Sequence, residues 1–346
     1  MQPPVVSVIM AVRDGQQWLS QAIDSILTQT FSDFELLVID DGSIDQTPEI
    51  LAGYRARDQR LIVLTQAREG LVCALNRGLN AARGTLIARL DADDIALPDR
   101  LLAQTRFFRR HPDVVLLGAW AQVIDEQGQP KPKRLRPPID RAKLARALAK
   151  QNPFIHSTVM FRTAAARDLG GYRRAFEAAE DYDLWLRLAD KGEFAILPEV
   201  QIQYRQHDKN ITKTKALRQL FSARLARMSR EGRRTQGADP ASALTAPPEW
   251  SRQSEGAFCD EWSRIYRLLE LADPAIGREA NPSSIDLRAI SGQLSDLMPG
   301  ERKFAQQALV NLLRNRVRPP GQSRWLLLAL LFRLHPTRAL RLLWRS

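Results

Sequence analysis

The sequence predicts an α/β protein: a doubly wound sheet of parallel strands with a mainly helical C-terminal extension. Three observations support this. Between residues 5 and 110, apolar runs of strand length alternate with segments whose apolar residues recur at helical spacing, the order of successive βαβ units. The runs at 36–39 and 86–90 end in acidic clusters, Asp40-Asp41 and Asp91-Ala92-Asp93-Asp94, at strand ends where open α/β sheets bind ligands. Beyond about residue 212 the texture changes, and apolar residues fall on helical faces.

Each element has its own justification. Residues 5–11 (VVSVIMA) form an unbroken apolar run, fit for burial on both faces of a sheet. The segment 18–28 places Leu19, Ala22, Ile23, Ile26 and Leu27 on one helical face. A strand follows at 34–39 and a helix at 47–56, opened by Thr47-Pro48-Glu49, with proline where a first-turn N–H has no partner to lose. A third strand at 61–64, a helix at 71–82 ended by Gly84, and a fourth strand at 85–90 complete the alternation. A helix is expected over 98–110 and a strand at 114–118. Residues 127–138 concentrate Pro, Gly and Lys/Arg, and a mobile surface loop is expected there. A strand at 155–161, a turn at Gly170-Gly171, a helix entered through Glu180-Asp181, and strand signals over 194–204 interrupted by Pro198 close this region.

Further on, Leu217, Leu220, Phe221, Leu225 and Met228 share a helical face, with Arg218, Arg224, Arg227 and Arg230 mostly off it. Residues 233–250 hold Gly237, Pro240, Pro247 and Pro248 and read as a linker. The expected division is 1–212, then a basic helix and linker at 213–250, then a helical region at 251–346. From 302 to 346 there are ten Lys/Arg and no Asp or Glu, and 325–332 is entirely apolar. Past Pro336, Arg338, Arg341 and Arg345 oppose Leu340, Leu343 and Trp344. Basic against apolar is the pattern of an interfacial helix on an anionic membrane. It is also that of a helix packed on the domain with its arginines in solvent.

The 346 residues are 44% hydrophobic and 26% charged, enough for a sizeable core. The net charge of +12 implies an anionic partner, whether membrane, nucleic acid or phosphorylated substrate. Cys73 and Cys259 are too few for a disulfide scaffold, and each suits a small buried hydrophobe. No His/Cys group has zinc-ligand spacing. The first residues lack a signal peptide's basic start and cleavage site, and no apolar run reaches about 18 residues. The expectation is a cytoplasmic protein, peripheral on the inner face of the membrane if it meets a membrane at all.

Carboxylates at strand ends are costly unless they hold a metal, a ligand hydroxyl or a proton in transit. Asp-x-Asp suits a hard divalent cation that also grips phosphate oxygens, and Asp181 suits a general base. Four segments carry a family resemblance: VVSVIMAVRDGQQWLSQAIDSILTQT, FSDFELLVIDDGSIDQT, ARGTLIARLDADDIALPDRL and GGYRRAFEAAEDYDLWLRL. In that order they resemble the inverting family 2 glycosyltransferases of the GT-A fold. The resemblance spans about residues 4–210 and leaves the C-terminal third uncovered.

The resemblance implies a mixed, Rossmann-like nucleotide-binding sheet of GT-A type. It implies a nucleotide-sugar donor, UDP favoured, with Ala11, Arg13, Asp41, Arg68 and Asp91 toward the nucleotide. Asp93 would coordinate Mn²⁺ or Mg²⁺ with the diphosphate. Asp181 would take the proton from an acceptor hydroxyl as that oxygen attacks the anomeric carbon opposite the leaving group. His207 and His156 match positions near the acceptor or diphosphate. Many relatives carry an aromatic-Asn pair where this chain has Arg13-Asp14; the Arg13 guanidinium can stack on a base or bind a phosphate. Asp40 is expected to be structural, Asp94 and Asp99 to cap the next helix, and Glu180 to favour its helix N-terminus. The acceptor class implied is a glycan, lipid-linked or of lipopolysaccharide type, with the basic tail on the membrane surface.

Other classes fit less well. A nucleotidyltransferase would want a Gly-rich basic loop after the first strand, and a dehydrogenase Gly-x-Gly-x-x-Gly; Val12-Arg13-Asp14-Gly15 is neither. No aromatic platform interleaves the basic residues, so no nucleic-acid partner is expected. A non-catalytic sugar-nucleotide-binding relative is the remaining alternative, and intact Asp41, Asp93 and Asp181 argue against it.

Overall fold

The computed structural model describes residues 2–208, 215–248, 265–266, 268–272, 293–314 and 324–336. Strands β1 (Val6–Val12), β2 (Phe34–Asp41), β3 (Leu61–Gln66) and β4 (Leu86–Arg89) alternate with helices α1 (Leu19–Leu27), α2 (Thr47–Arg57) and α3 (Leu71–Ala81). β1 lies parallel to both β2 and β4, and β2 parallel to β3. The runs are mostly apolar because the sheet is covered on both sides, and the polar pair within them, Ser7 and Glu35, is hydrogen-bonded to itself. Ile9, Leu37, Ile39 and Ile87 join a core that includes α3, while Val8, Met10, Leu36 and Val38 join one that includes α1.

The next elements are β5 (Ile95–Ala96), α4 (Arg100–Arg110), β6 (Val114–Ile124), β7 (Pro130–Leu135), α5 (Arg141–Lys150), β8 (Met160–Arg162), α6 (Thr163–Asp168), α7 (Glu180–Leu188) and β9 (Glu193–Arg205). β8 runs antiparallel to both β4 and β6, so the sheet is mixed rather than wholly parallel. Its order is β3-β2-β1-β4-β8-β6-β9-β5, with β7 added on β6.

One expectation is corrected here. Residues 127–138 are not a loop: β7 pairs antiparallel with the end of β6, Ala121 opposite Leu135 and Ile124 opposite Pro130. Prolines are tolerated on such an outlying strand because few of its N–H groups are needed, and Gln122 Nε2 donates to the carbonyls of Lys131 and Lys133. At Pro198, where the strand signals are interrupted, the pairing is interrupted too. The register steps from Ala119–Leu197 to Trp120–Val200, so a bulge takes up Pro198 and Glu199 and pairing resumes.

Helix α8 (Ala216–Gln236) runs past the expected linker start and ends at Gly237, φ +70°, a left-handed stop suited to glycine. Residues after it are tied down, since Asp239 accepts from Arg173 and Arg233. α8 joins two cores: Leu225 and Ala226 pack with α7, while Leu217 and Phe221 pack with α9 (Pro299–Arg314) and α10 (Arg324–Leu334). A buried ion pair, Arg224–Glu301, crosses the second contact, and Glu301 also accepts from Tyr266 Oη and Met298 N. The apolar run at 325–332 therefore serves the helical core, where Leu327, Leu330 and Leu331 are buried, and Phe332 stays 47% exposed. No helix among the described residues is long and apolar enough to cross a membrane. Cys259, Arg316, Arg318, Arg338, Arg341 and Arg345, with Leu340, Leu343 and Trp344, lie outside the described residues.

Candidate active site

Because β1, β2 and β4 are parallel, their carboxyl ends share one edge of the sheet. At that edge the loops after β1 and β2 are stitched together. Asp14 N donates to Ser43 Oγ and Ile44 N to Asp14 Oδ1, each 2.9 Å, while Gly15 N donates to Thr47 Oγ1 at 2.9 Å. Asp14 sits at φ +51°, a conformation that costs free energy for a side-chain-bearing residue and that these bonds hold in place. Ala11 lies in β1 opposite Ile39. Arg13 is exposed, its Nε 3.6 Å from Asp14 Oδ2.

Asp40 accepts Ser43 N at 3.0 Å, a structural task. Asp41, 5% exposed, accepts Gln66 Nε2 and Glu69 N at 2.8 Å and Gly70 N at 3.0 Å. It thereby draws the 66–70 loop, which carries the exposed Arg68, over the end of β2. A Cβ on Gly42 would lie 3.1 Å from Arg68 N, and Gly42 is at φ +69°, so glycine is required at this crossing.

β4 ends in the acidic turn. Carboxylate oxygens of Asp91, Asp93 and Asp94 lie within 4.8 Å of one another. Such crowding of like charge needs compensation. Arg89, 1% exposed, forms an ion pair with Asp91. Ser157 Oγ donates to Asp91 Oδ2 at 2.8 Å and accepts Asp91 N at 3.1 Å. Burial pushes Asp91 up, but the Arg89 guanidinium and the Ser157 hydroxyl outweigh it and hold the carboxyl below its ordinary range. Asp94 is driven well above that range by burial and by Asp93 and Asp91. It does not cap α4; its Oδ1 accepts Arg205 N at 2.7 Å, and its Oδ2 is buried without a hydrogen-bond partner among the described residues. Asp99 accepts from Thr30 Oγ1 instead of capping. Asp93 Oδ2 lies 2.7 Å from His207 Nε2. An all-oxygen set with one unpartnered buried oxygen fits a hard divalent cation.

The second carboxyl group is at the N-terminus of α7. Asp181 Oδ2 accepts Asn152 Nδ2 at 2.8 Å. Burial pushes its pKa up to about 6, against the lowering pull of Tyr182 N, Asn152 and Arg89. Glu180 is pushed up to about 8 by burial and by Asp181, so near neutrality it keeps its proton and Asp181 carries the charge. His156 Nε2 lies 3.3 Å from Tyr172 Oη, and burial with Arg89 drives its pKa well below the ordinary value. His156 is thus a neutral hydrogen-bonding group.

The structure therefore brings Asp91 and Asp93 together and sets His207 on Asp93, while His156 bonds to Tyr172 and meets the turn only through the field of Arg89 and Asp91. Sequence reasoning missed Arg89, Ser157, Asn152, Arg205 and Trp18. Only Arg89 carried a local signal, a cation inside the apolar run of β4. Asn152, Ser157 and Arg205 reach the site across 29 to 112 positions, and Trp18 meets it through the His207 ring.

Residues 7–170 match the model of Glycosyl transferase family 2. Over 214 residues the chain is 35% identical to the O-antigen biosynthesis glycosyltransferase WbnJ of Escherichia coli, covering 61% of this chain and 83% of that protein. S. aureus TarS 1-349 in complex with UDP superposes with a TM-score of 0.53 at 16% identity, over 99% of this chain and 88% of that one. The mannosyltransferase PcManGT of Pyrobaculum calidifontis, in complex with GDP-Man and Mn²⁺, gives 0.54 at 16% identity over 92% and 89%. These likenesses identify the mixed sheet as GT-A type.

Proposed function

The chain belongs to glycosyl transferase family 2, and from that premise we propose that it is an inverting, metal-dependent enzyme moving a sugar from a nucleotide-diphosphate donor, UDP favoured, to a hydroxyl of a glycan acceptor. The observation that carries this reading is a pair of differently tuned carboxylate groups that both lie within the field of Arg89. One is crowded, partly ionised and partly unpartnered; the other is desolvated and poised near neutrality.

Asp93, with Asp91 and Asp94, would hold Mn²⁺ or Mg²⁺. When bound, the cation neutralises charge on the departing diphosphate. Asp91 is kept ionised by Arg89 and Ser157 for that purpose. Asp181 accepts the acceptor's proton on a carboxylate oxygen while Asn152 fixes its orientation. The acceptor oxygen forms its bond to the anomeric carbon as the bond to diphosphate breaks, the electron pair leaving with the diphosphate. A single displacement inverts the centre, and no enzyme nucleophile is required. Asp41 and the loop it gathers, with Ala11, Arg13 and Arg68, form the nucleotide end, and His207 and His156 line the route between diphosphate and acceptor.

The name of WbnJ supports a cell-surface polysaccharide or lipopolysaccharide acceptor, and that of TarS a UDP donor. The net charge of +12 supports peripheral attachment to an anionic membrane at its cytoplasmic face. The support is charge alone, because the apolar face of α10 is turned inward. Residues 1–212 would form the catalytic unit, 213–250 a basic helix and linker, and 251–346 a helical appendage.

The deciding experiment is calorimetric titration of UDP, GDP and CDP into the protein with and without Mn²⁺. Tight, Mn²⁺-dependent binding of UDP that is lost in Asp93→Ala is expected. Tight binding of GDP alone would change the donor, and no binding of any nucleotide would favour a non-catalytic relative. Co-sedimentation with anionic vesicles tests the membrane reading; no salt-sensitive binding would remove it.

A further inference from the structure

Arg205 ends β9 with only 1% of its surface exposed, and it ties α1 and the β6–β7 turn to the acidic turn. Its N–H donates to Asp94 Oδ1 at 2.7 Å and its Nε to the Asp93 carbonyl at 2.8 Å. One terminal nitrogen donates to the carbonyls of Asp125 and Glu126 at 3.1 and 3.0 Å, in the turn between β6 and β7. The other donates to Gln21 Oε1 at 2.7 Å, on α1. The guanidinium also sits 5.5 Å from the Trp18 ring centre. Trp18 donates its indole N–H to the Glu126 carbonyl at 3.1 Å and lies against the His207 ring, centroids 4.5 Å apart and planes 30° apart. His207 in turn meets Asp93 Oδ2.

The acidic turn has little regular structure of its own. It is closed by one backbone bond, Asp94 N to the Asp91 carbonyl at 3.2 Å, and its carboxylates repel one another. Left alone, it would relax so as to separate the charges. Arg89 restrains the Asp91 end. We propose that Arg205 and Trp18 are positioning residues for the other end: they hold the Asp93 backbone and the His207 ring so that the carboxylate set is formed before a cation arrives. The inference rests on the cation-binding reading above. A planar fork is needed, because one ammonium group cannot reach the Asp93 carbonyl, the β6–β7 turn and Gln21 together. Outer partners of this kind alter metal affinity about 10- to 100-fold.

The test uses the full chain, with Mn²⁺ binding followed by the electron paramagnetic resonance of free Mn²⁺ in the presence of UDP. Arg205→Lys and Trp18→Ala are expected to weaken Mn²⁺ binding about tenfold or more. Trp18→Phe keeps a ring on His207 and is expected to retain binding within about threefold. Trp18 is only half-buried, so the Trp18 variants carry the test if Arg205→Lys fails to fold. Unchanged Mn²⁺ affinity in folded Trp18→Ala, even with a lowered Tm, overturns the inference and leaves the cation reading intact. Failure of the wild-type chain to bind Mn²⁺ overturns that reading, and the inference with it.

Discussion

The acidic turn at 91–94 and the pair Glu180-Asp181 are built from the same kind of side chain, and the protein treats them in opposite ways. At the turn, a buried guanidinium and a serine hydroxyl are brought onto Asp91, and its carboxyl stays ionised despite burial. At the start of α7, Asp181 accepts from an amide and from the Tyr182 N–H, and among the described residues no cation pairs with it, so burial prevails and lifts it to about 6. Arg89 lowers all three carboxyls but touches only Asp91. The difference teaches that contact with a cation, not the presence of acid, separates a group suited to hold a metal from one suited to pick up a proton.

The sharpest way to break this contrast is Asp181→Asn. The amide keeps the shape and cannot accept the proton. Transfer is expected to fall about 10²- to 10⁴-fold, while Mn²⁺-dependent nucleotide affinity stays within about twofold. A fully active variant would remove the base assignment and leave the turn's role untouched.

The second test removes the cation from the other side. Arg89→Met leaves Asp91 ionised with no counter-charge, and a loss of about 3 kcal/mol in urea unfolding at pH 7 is expected. Asp91 is depressed in the folded state, so its contribution is present above its unfolded value of 3.8 and is lost as pH falls through the folded value. The gap between wild type and variant should therefore shrink at pH 3 to 4. A gap that is flat with pH would mean that Arg89 acts by packing alone.

Much of this arrangement was legible in the sequence, and the limit is physical. β1 to β4 and α1 to α3 were readable because each is fixed by its own apolar pattern, and the acid clusters stood at their ends. β8 has three residues and owes its direction to the two strands it joins. β7 has almost no apolar residues, and the main chain of β6 makes it a strand. The apolar run of α10 fits a membrane and a helical core equally well until its neighbours are known. For the site, the acids announced themselves, but what sets their charge came from residues distant in the chain. Arg205 lies 112 positions from Asp93 and Asn152 lies 29 from Asp181.

A milder probe is the pH profile. A base that must be ionised gives a kcat rising with pH through about 6, the value for Asp181, then a plateau. In Asp181→Glu the rising limb should persist at reduced height. Its absence in wild type would place proton removal elsewhere.

The smallest expected effect on turnover concerns Glu180, which is lifted to about 8 by burial and by its neighbour. A carboxyl raised on folding stabilises the fold fully below its unfolded value of 4.5. That contribution is lost as pH rises through the folded value. Glu180→Gln cannot ionise, so its margin over wild type in urea unfolding should open above pH 4.5, widen up to about pH 8 and stay constant beyond. The rising limb of kcat near pH 6 should not move, because Glu180 is protonated there and presents no charge to Asp181. A limb that moved to lower pH would mean that the two carboxyls share one proton, and the contrast would then lie between a cation site and a coupled pair.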